Sequence, residues 1–380
     1  MKRIRILALI LCACLVSVAW GQKNGWREFH RPDMVRVNPY EKTLNVDNVG
    51  SLVLKWSYQT GDQIAYSNPA LVNGVVYVGS LDHNVYALDA ATGVKLWSYT
   101  TGDWVYCSPA VAGGVVYVGS WDHKMYALKA STGRKLWSYT TGWGIDGGSP
   151  TVANGVVYFG SGDSYVYALN AKTGALLWNY LTEQGHNYMS SPALANGILY
   201  IGCGGCGILY ALNASTGALL WTYYPGYAAF AAPAVAKGVV YSASGGSSGG
   251  GNVFALDAST GAELWSYSKI EGTSPSPAVV DGVVYDGSEV TGKVYALSAK
   301  TGTARWVYPT GTSVRASPAV ANGVVYIGSR NNNLYALNAK TGALLWSYTT
   351  GGAVESSPIV TNGMVYVGSD DGKVYAFGLP

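Results

Sequence analysis

Residues Ser317 to Thr350 read SPAVANGVVYIGSRNNNLYALNAKTGALLWSYTT. The stretch divides into SPAV, NGVVYIGS, NLYALNAKTG and ALLWSYTT, each rich in Val, Tyr, Leu or Trp and each bounded by Gly, Asn or Thr-Gly. β-Branched and aromatic runs closed by turn formers predict four short antiparallel strands. The pattern occurs eight times, with its tryptophan at Trp56, Trp97, Trp137, Trp178, Trp221, Trp265, Trp306 and Trp346. A period of roughly forty residues with four strands per unit predicts a β-propeller with one blade per repeat. The expected fold is all-β: eight four-stranded antiparallel blades in a closed ring.

Closure follows from the two ends of the repeat array. Leu52–Tyr58 carries the Trp of a fourth strand with no three strands before it, and Ser356–Phe377 supplies three strands with no fourth after them. The N-terminal strand is therefore expected to pair beside Lys373–Phe377, completing the last blade and leaving no open edge.

Composition agrees with one closed body. Only 12% of residues are charged, against roughly 25% for an average soluble protein. Blades that stack face to face bury both faces of each sheet, which accounts for runs such as GVVYVG. The formal charge of +3 resides in Lys2, Arg3 and Arg5, and the remaining charges cancel. That excludes the basic footprint of a nucleic-acid binder.

Residues 1–21 have the form of a secretory signal. Lys2, Arg3 and Arg5 precede an apolar stretch, Ile6–Val18, too short to span a bilayer, and Ala19-Trp20-Gly21 offers a cleavage site. Leu11-Cys12-Ala13-Cys14 only faintly resembles a lipoprotein box, because apolar residues follow Cys14. The expectation is a periplasmic or secreted monomer with no transmembrane span. Residues 22–48 form a polar arm without a period of two or 3.6, expected to lie extended on the propeller with Trp26 and Phe29 as anchors. The propeller itself occupies residues 49–380.

Within the repeat, Ser-Pro opens the innermost strand, where no ladder donor is lost. Asn73-Gly74, Asp281-Gly282 and Asn322-Gly323 suit the positive φ of two-residue hairpins, and Thr-Gly is expected to serve similarly between the third and fourth strands. The eight Trp are read as structural, bridging neighbouring blades with the indole N–H on a backbone carbonyl. The glycine run Ser244–Gly251 lacks the Lys-Ser/Thr of a phosphate loop and reads as a hairpin tip.

Conventional catalytic signatures are absent. Cys203 and Cys206 are expected to form a local disulfide on an exported hairpin, with redox or metal chemistry as the alternative. Zinc would need two further ligands, and no other Cys or His recurs at metal spacing. Cys107 is unpaired. His83 and His123 follow Asp82 and Asp122 at one turn position, occupied elsewhere by Asn332 or Gly372, so that position favours turn formers. No metal is expected.

A more informative set appears three residues before each inner-strand proline: Tyr66, Tyr106, Gly147, Met189, Phe230, Ser274, Arg315 and Glu355. Strand alternation places them on one side in every blade. They vary while the adjoining Ser/Ala-Pro barely does. With Trp104, Trp143, Asp146 and His186 from the same loops, they are expected to line the mouth of the central channel, where aromatic walls with one Arg and one Glu would suit a small ligand or a peptide. The alternative is a plugged, space-filling mouth.

The repeat, for example SPAVAGGVVYVGSWDHKMYALKASTGRKLW at 108–137, resembles that of the pyrroloquinoline-quinone (PQQ)-type β-propeller family. Phe29–Gly61, with NVDNVGSLVLKWSYQTG, is similar to the entry strand of such propellers. The resemblance implies that Trp and Thr-Gly form the blade-docking motif. It implies two functional branches: quinoprotein alcohol and sugar-alcohol dehydrogenases with quinone and calcium at the axis, and non-catalytic members such as the outer-membrane assembly scaffold BamB. The alcohol enzymes carry an adjacent Cys-Cys pair and large insertions, and this chain has neither.

The sequence therefore points first to an exported, non-catalytic binding or scaffold propeller that contacts cell-envelope or secreted proteins and needs no cofactor. The runner-up is a PQQ- and calcium-dependent dehydrogenase, with Glu355 or Asp146 as the acid and Arg315 as charge stabiliser. A secreted carbohydrate- or surface-binding protein is the third reading.

Overall fold

The computed structural model describes residues 25–29, 35–146, 148–183, 188–245, 250–268, 270, 272 and 275–380. The leader lies outside these residues, as do His30, Gly147, His186 and Ser274. Eight antiparallel sheets of the repeat surround a central axis. The second blade illustrates the plan: strands Ala110–Ala112, Val115–Ser120, Lys124–Lys129 and Lys135–Thr140 run from axis to rim. The blades are numbered one to eight from Ala70. The eighth comprises Ile359–Thr361, Met364–Gly368, Lys373–Gly378 and, as its outer strand, Val53–Gln59 from the N-terminal side. Trp56 lies opposite Ala376 and Ser57 opposite Tyr375, so the ring closes as the sequence predicts. Among the described residues no helix is long and apolar enough to cross a membrane.

Positive φ explains the hairpin residues. Asn73 and Gly74 sit at φ 51° and 76°, and Asp281 and Asn322 with their glycines behave alike, as a two-residue hairpin requires. His83 and His123 have φ near 70°, like Asn332. Thr-Gly differs from its expected role. In blade seven Asn338 Oδ1 accepts from the Lys340 and Thr341 amides and the Gly342 N–H donates to the Asn338 carbonyl, giving a longer Asx-type loop rather than a two-residue turn. The strand register shifts beside this loop, between Ala336 and Leu337, which lie opposite Trp346 and Leu344.

That loop is where neighbouring blades lock. A Cβ on Gly174 would come 2.8 Å from the ring of Trp137, and six further interfaces repeat this contact. The Trp137 indole N–H donates to the Ala171 carbonyl at 3.0 Å, and Tyr117 Oη donates to the same oxygen at 3.0 Å. Every repeat tryptophan bonds the next blade in this way. At the closing joint the chain enters instead of turning. There Trp346 donates to the Leu52 carbonyl at 3.0 Å, while the buried Tyr326 hydroxyl, counterpart of Tyr117, has no partner among the described residues.

A second ring of inter-blade bonds encircles the axis and gives Ser-Pro its purpose. The amide of Asn68 donates to Ser108 Oγ, that of Ser108 to Ser149 Oγ and that of Ser149 to Ser191 Oγ. The series resumes at Ala232 through Ser276, Ser317 and Ser357, which returns to Asn68 Oδ1. It breaks only where blade five carries Ala232, which has no hydroxyl to accept from Ser191.

The arm does more than lie on the propeller. It fills the channel, bonding the axis-facing edges of inner strands in blades one, two and three through Trp26, Arg27 and Glu28, then in blades six and seven through Val35 and Arg36. Val37–Asn38 adds a parallel strand to Ala319–Ala321, and the Asn38 side chain donates to the Val360 carbonyl of blade eight. Arg36, fully buried, donates to the carbonyls of Phe29, Pro318 and Pro358 at 2.7, 3.0 and 3.1 Å and stacks its guanidinium on the Trp26 and Phe29 rings. Burial lowers its pKa to about 9, which leaves it cationic at neutral pH. The inner strands thereby find partners for edges that would otherwise stay open.

Candidate functional site

With the arm as plug, the channel becomes a cup. Phe29 contributes to its lining, and the lumen opens among the loops that enter the inner strands, with a volume of about 450 Å³. Tyr66, Tyr106, Asp146, Met189, Phe230, Arg315 and Glu355 all line it. The mouth is thus neither fully plugged nor a through channel. Gly147, Ser274 and His186 lie outside the described residues.

Two expected members do not line the cup. Trp104 stands on the rim and packs against Tyr106 and Trp121, with ring centroids 5.8 and 5.3 Å away. Trp143 stacks on His123 at 5.6 Å. Both are exposed. Met189 is buried in the wall against Gly160.

The walls are unlike. Tyr66, Tyr106 and Trp121 make the wall formed by blades one and two, and Phe230 stands across the lumen at blade five. Blades six to eight supply a charged network: Arg315 Nε donates to Glu289 Oε1 at 2.8 Å, and Nη2 reaches the same oxygen. Arg315 Nη1 reaches Tyr66 Oη at 2.8 Å and Glu355 Oε1 at 3.3 Å. Arg330 bonds the same Glu355 oxygen at 3.0 Å. Tyr66 has φ 60°, a conformation bulky residues rarely adopt. Burial, reinforced by Glu355, pushes its hydroxyl up to about 12. Burial first and Glu355 second push Asp370, beside this network, up to about 7.

Glu289, Trp121, Arg330 and Asp370 were missed by the alignment on proline. They share another position, the residue after Gly-Ser at the end of the second strand, which reads Leu81, Trp121, Gly162, Glu289, Arg330 and Asp370. That variability was the available signal. The next position behaves differently. Asp122 accepts from the Gly102 amide and from Tyr126 Oη, and Asp82, Asp163 and Asp371 do likewise in their blades. These acids tie loops together.

Cys203 and Cys206 are joined by a disulfide in the blade-four hairpin, which backs the cup wall through the Met189–Cys203 bridge without itself lining the lumen. A Cβ at the intervening Gly204 would come 2.0 Å from the Phe230 ring. Cys107 is free and buried, and burial raises its thiol pKa strongly. Metal-binding arrangements of three or more His, Cys, Asp or Glu do not occur among the described residues.

The family described as outer membrane protein assembly factor BamB matches residues 55–191, 187–318 and 292–378. The chain belongs to this family of PQQ-repeat propellers. The crystal structure of BamB from Moraxella catarrhalis superimposes with a TM-score of 0.74 at 21% identity, over 86% of this chain and 99% of that one. Quinohemoprotein alcohol dehydrogenase from Comamonas testosteroni superimposes at 0.80 and 18% identity, over 96% of this chain and 82% of that one. The alcohol dehydrogenase (quinone) dehydrogenase subunit of Gluconobacter oxydans is 37% identical over 81 residues, 21% of this chain and 11% of the enzyme. The fold is therefore shared with BamB and with quinohemoprotein alcohol dehydrogenase alike.

Quinone and calcium, which the resemblance implies for the enzyme branch, do not fit this cup. Calcium takes about six to eight oxygen ligands, several from carboxylates, yet no group of three or more His, Cys, Asp or Glu placed to hold a metal ion occurs among the described residues. Arg315, the one lining guanidinium, is already bonded by Glu289, Glu355 and Tyr66. Three lining carboxylates would oppose an anionic quinone, and the Cys203–Cys206 disulfide is not among the lining residues.

Proposed function

We propose that the protein is an exported, non-catalytic binding propeller of the cell envelope, with the mouth face as its contact surface. One observation carries this reading. Of the eight exposed aromatic side chains among the described residues, seven, Tyr66, Trp104, Trp143, Tyr188, Tyr224, Tyr227 and Phe230, stand on loops entering inner strands, and only Tyr40 does not. Exposed aromatics gathered on one face mark interaction surfaces, because rigid rings bury large area at little entropic cost. The family's description as an assembly factor supports the same reading.

Photo-crosslinking residues at Trp104 and Tyr227, with Leu96 and Leu220 on the outer rim as controls, test it in the producing cells. Specific adducts from the mouth positions and none from the rim are expected. Purified protein supplied with PQQ and Ca²⁺ should show no alcohol-dependent dye reduction. Dye reduction, or equal labelling of rim and mouth, would overturn the reading.

A further inference from the structure

The cup is unevenly charged. Among the described residues its lining carries three carboxylates, Asp146, Glu289 and Glu355, against the single guanidinium of Arg315. Arg330 bonds Glu355 as well, and Asp370 lies close enough to feel the charges of Glu355, Arg330 and Arg315. The Asp370 Oδ1 atom is buried and has no hydrogen-bond partner among the described residues. Among the described residues three lining carboxylates therefore meet two guanidiniums before any ligand enters, Asp370 apart.

The facing wall adds to this polarity. Aromatic rings present the negative face of a quadrupole, so Tyr66, Tyr106 and Trp121 attract cations without any formal charge. An anion in the lumen would meet net repulsion and would leave carboxylates desolvated and uncompensated. An organic cation complements both walls at once: its charge meets the acids and its alkyl or planar body meets the rings. The wall already shows how it holds such a group, since the Arg315 guanidinium is seated between Glu289, Glu355 and the Tyr66 hydroxyl. A lumen of about 450 Å³ lies within the usual range for small-molecule sites.

Resting on the binding reading above, we propose that the cup takes an organic cation, a primary ammonium or guanidinium, carried either by a free amine or by a Lys or Arg side chain of a docked protein. Excess negative charge and aromatic walls are each needed, and each can be removed separately.

Calorimetric titration of the purified protein with agmatine and with the blocked peptide acetyl-Gly-Arg-Gly-amide tests the proposal, with glutarate and acetyl-Gly-Glu-Gly-amide as anionic counterparts. Both cations should bind and both anions should not, with binding weakened by salt. Glu289→Gln, Asp146→Asn and Phe230→Ala should each weaken cation binding by about tenfold, with thermal melts reporting whether each variant remains folded. The comparison of ligands on wild-type protein needs no variant. Tighter binding of the peptide than of agmatine identifies a protein side chain as the source, and the reverse identifies a free amine.

Binding of glutarate as tight as that of agmatine, or no cation binding at about 10 mM, would overturn the proposal. If mouth-face crosslinks persist in either case, only the cationic ligand is lost and the binding module stands. If they vanish as well, both fall.

Discussion

The blade interfaces and the mouth are built from the same forty-residue unit but use different positions of it. At the interfaces one solution recurs: Trp on Gly, with two donors on one carbonyl, as in Trp137 and Tyr117 on Ala171. At the mouth the two variable positions differ in nearly every blade, giving rings at blades one, two and five and a charged network at blades six to eight. The comparison teaches that the contacts holding the ring recur around it, while the side chains that vary are gathered at the mouth, where we propose recognition lies. Repeat proteins are stabilised by nearest-neighbour interfaces, so the two sets should respond to mutation very differently.

Removing the N-terminal closure should have the largest effect. Deleting residues 22–60 takes away both the plug and the outer strand of blade eight, and loss of cooperative unfolding or aggregation is expected by circular dichroism and size exclusion. A soluble, equally stable truncate would refute the closure argument. Next comes the interface itself. Trp137→Ala should cost about 3–5 kcal/mol in urea unfolding, whereas Phe230→Ala at the exposed mouth should cost about 1 kcal/mol or less. Comparable losses would erase the division between the two sets.

Smaller substitutions sharpen it. Tyr117→Phe removes a bonded hydroxyl and should cost about 1 kcal/mol, but Tyr326→Phe removes an unpartnered one at the closing joint and should be close to neutral or stabilising. The smallest effect concerns pH. Because the folded Asp370 holds its proton up to about 7, the native state binds more protons than the unfolded state between the ordinary carboxylate range and neutrality. Its contribution is therefore fully present below that range and fades as pH rises towards 7. Asp370→Asn should flatten that part of the stability profile, and an unchanged slope would show that Asp370 does not carry it.

Much of the ring was legible because its causes are local and repeated. Asn-Gly hairpins, the Trp spacing and the two incomplete end repeats announce themselves along the chain. The cup was only half legible. Aligning on proline found Tyr66, Phe230, Arg315 and Glu355, since they sit at a fixed offset from a constant residue. Glu289 and Trp121 stand in turns that follow a different strand, and their meeting with the first set depends on how second-strand ends and inner-strand entries converge in space. The opposite error placed Trp104 and Trp143 in the lining, because a loop's position does not say whether its side chain turns inward or stands on the rim. The role of the arm was least legible. Nothing periodic marks it, and its partners are scattered across six blades.

Arg36 carries a consequence for the order in which the molecule is assembled. Its acceptors on Pro318 and Pro358 lie 282 and 322 residues further along the chain. The segment synthesised near the beginning therefore waits, unsatisfied, until almost everything else has been made. Seating that single guanidinium is a completion check: early blades can form beside one another, but the hub stays unlatched until the final ones arrive.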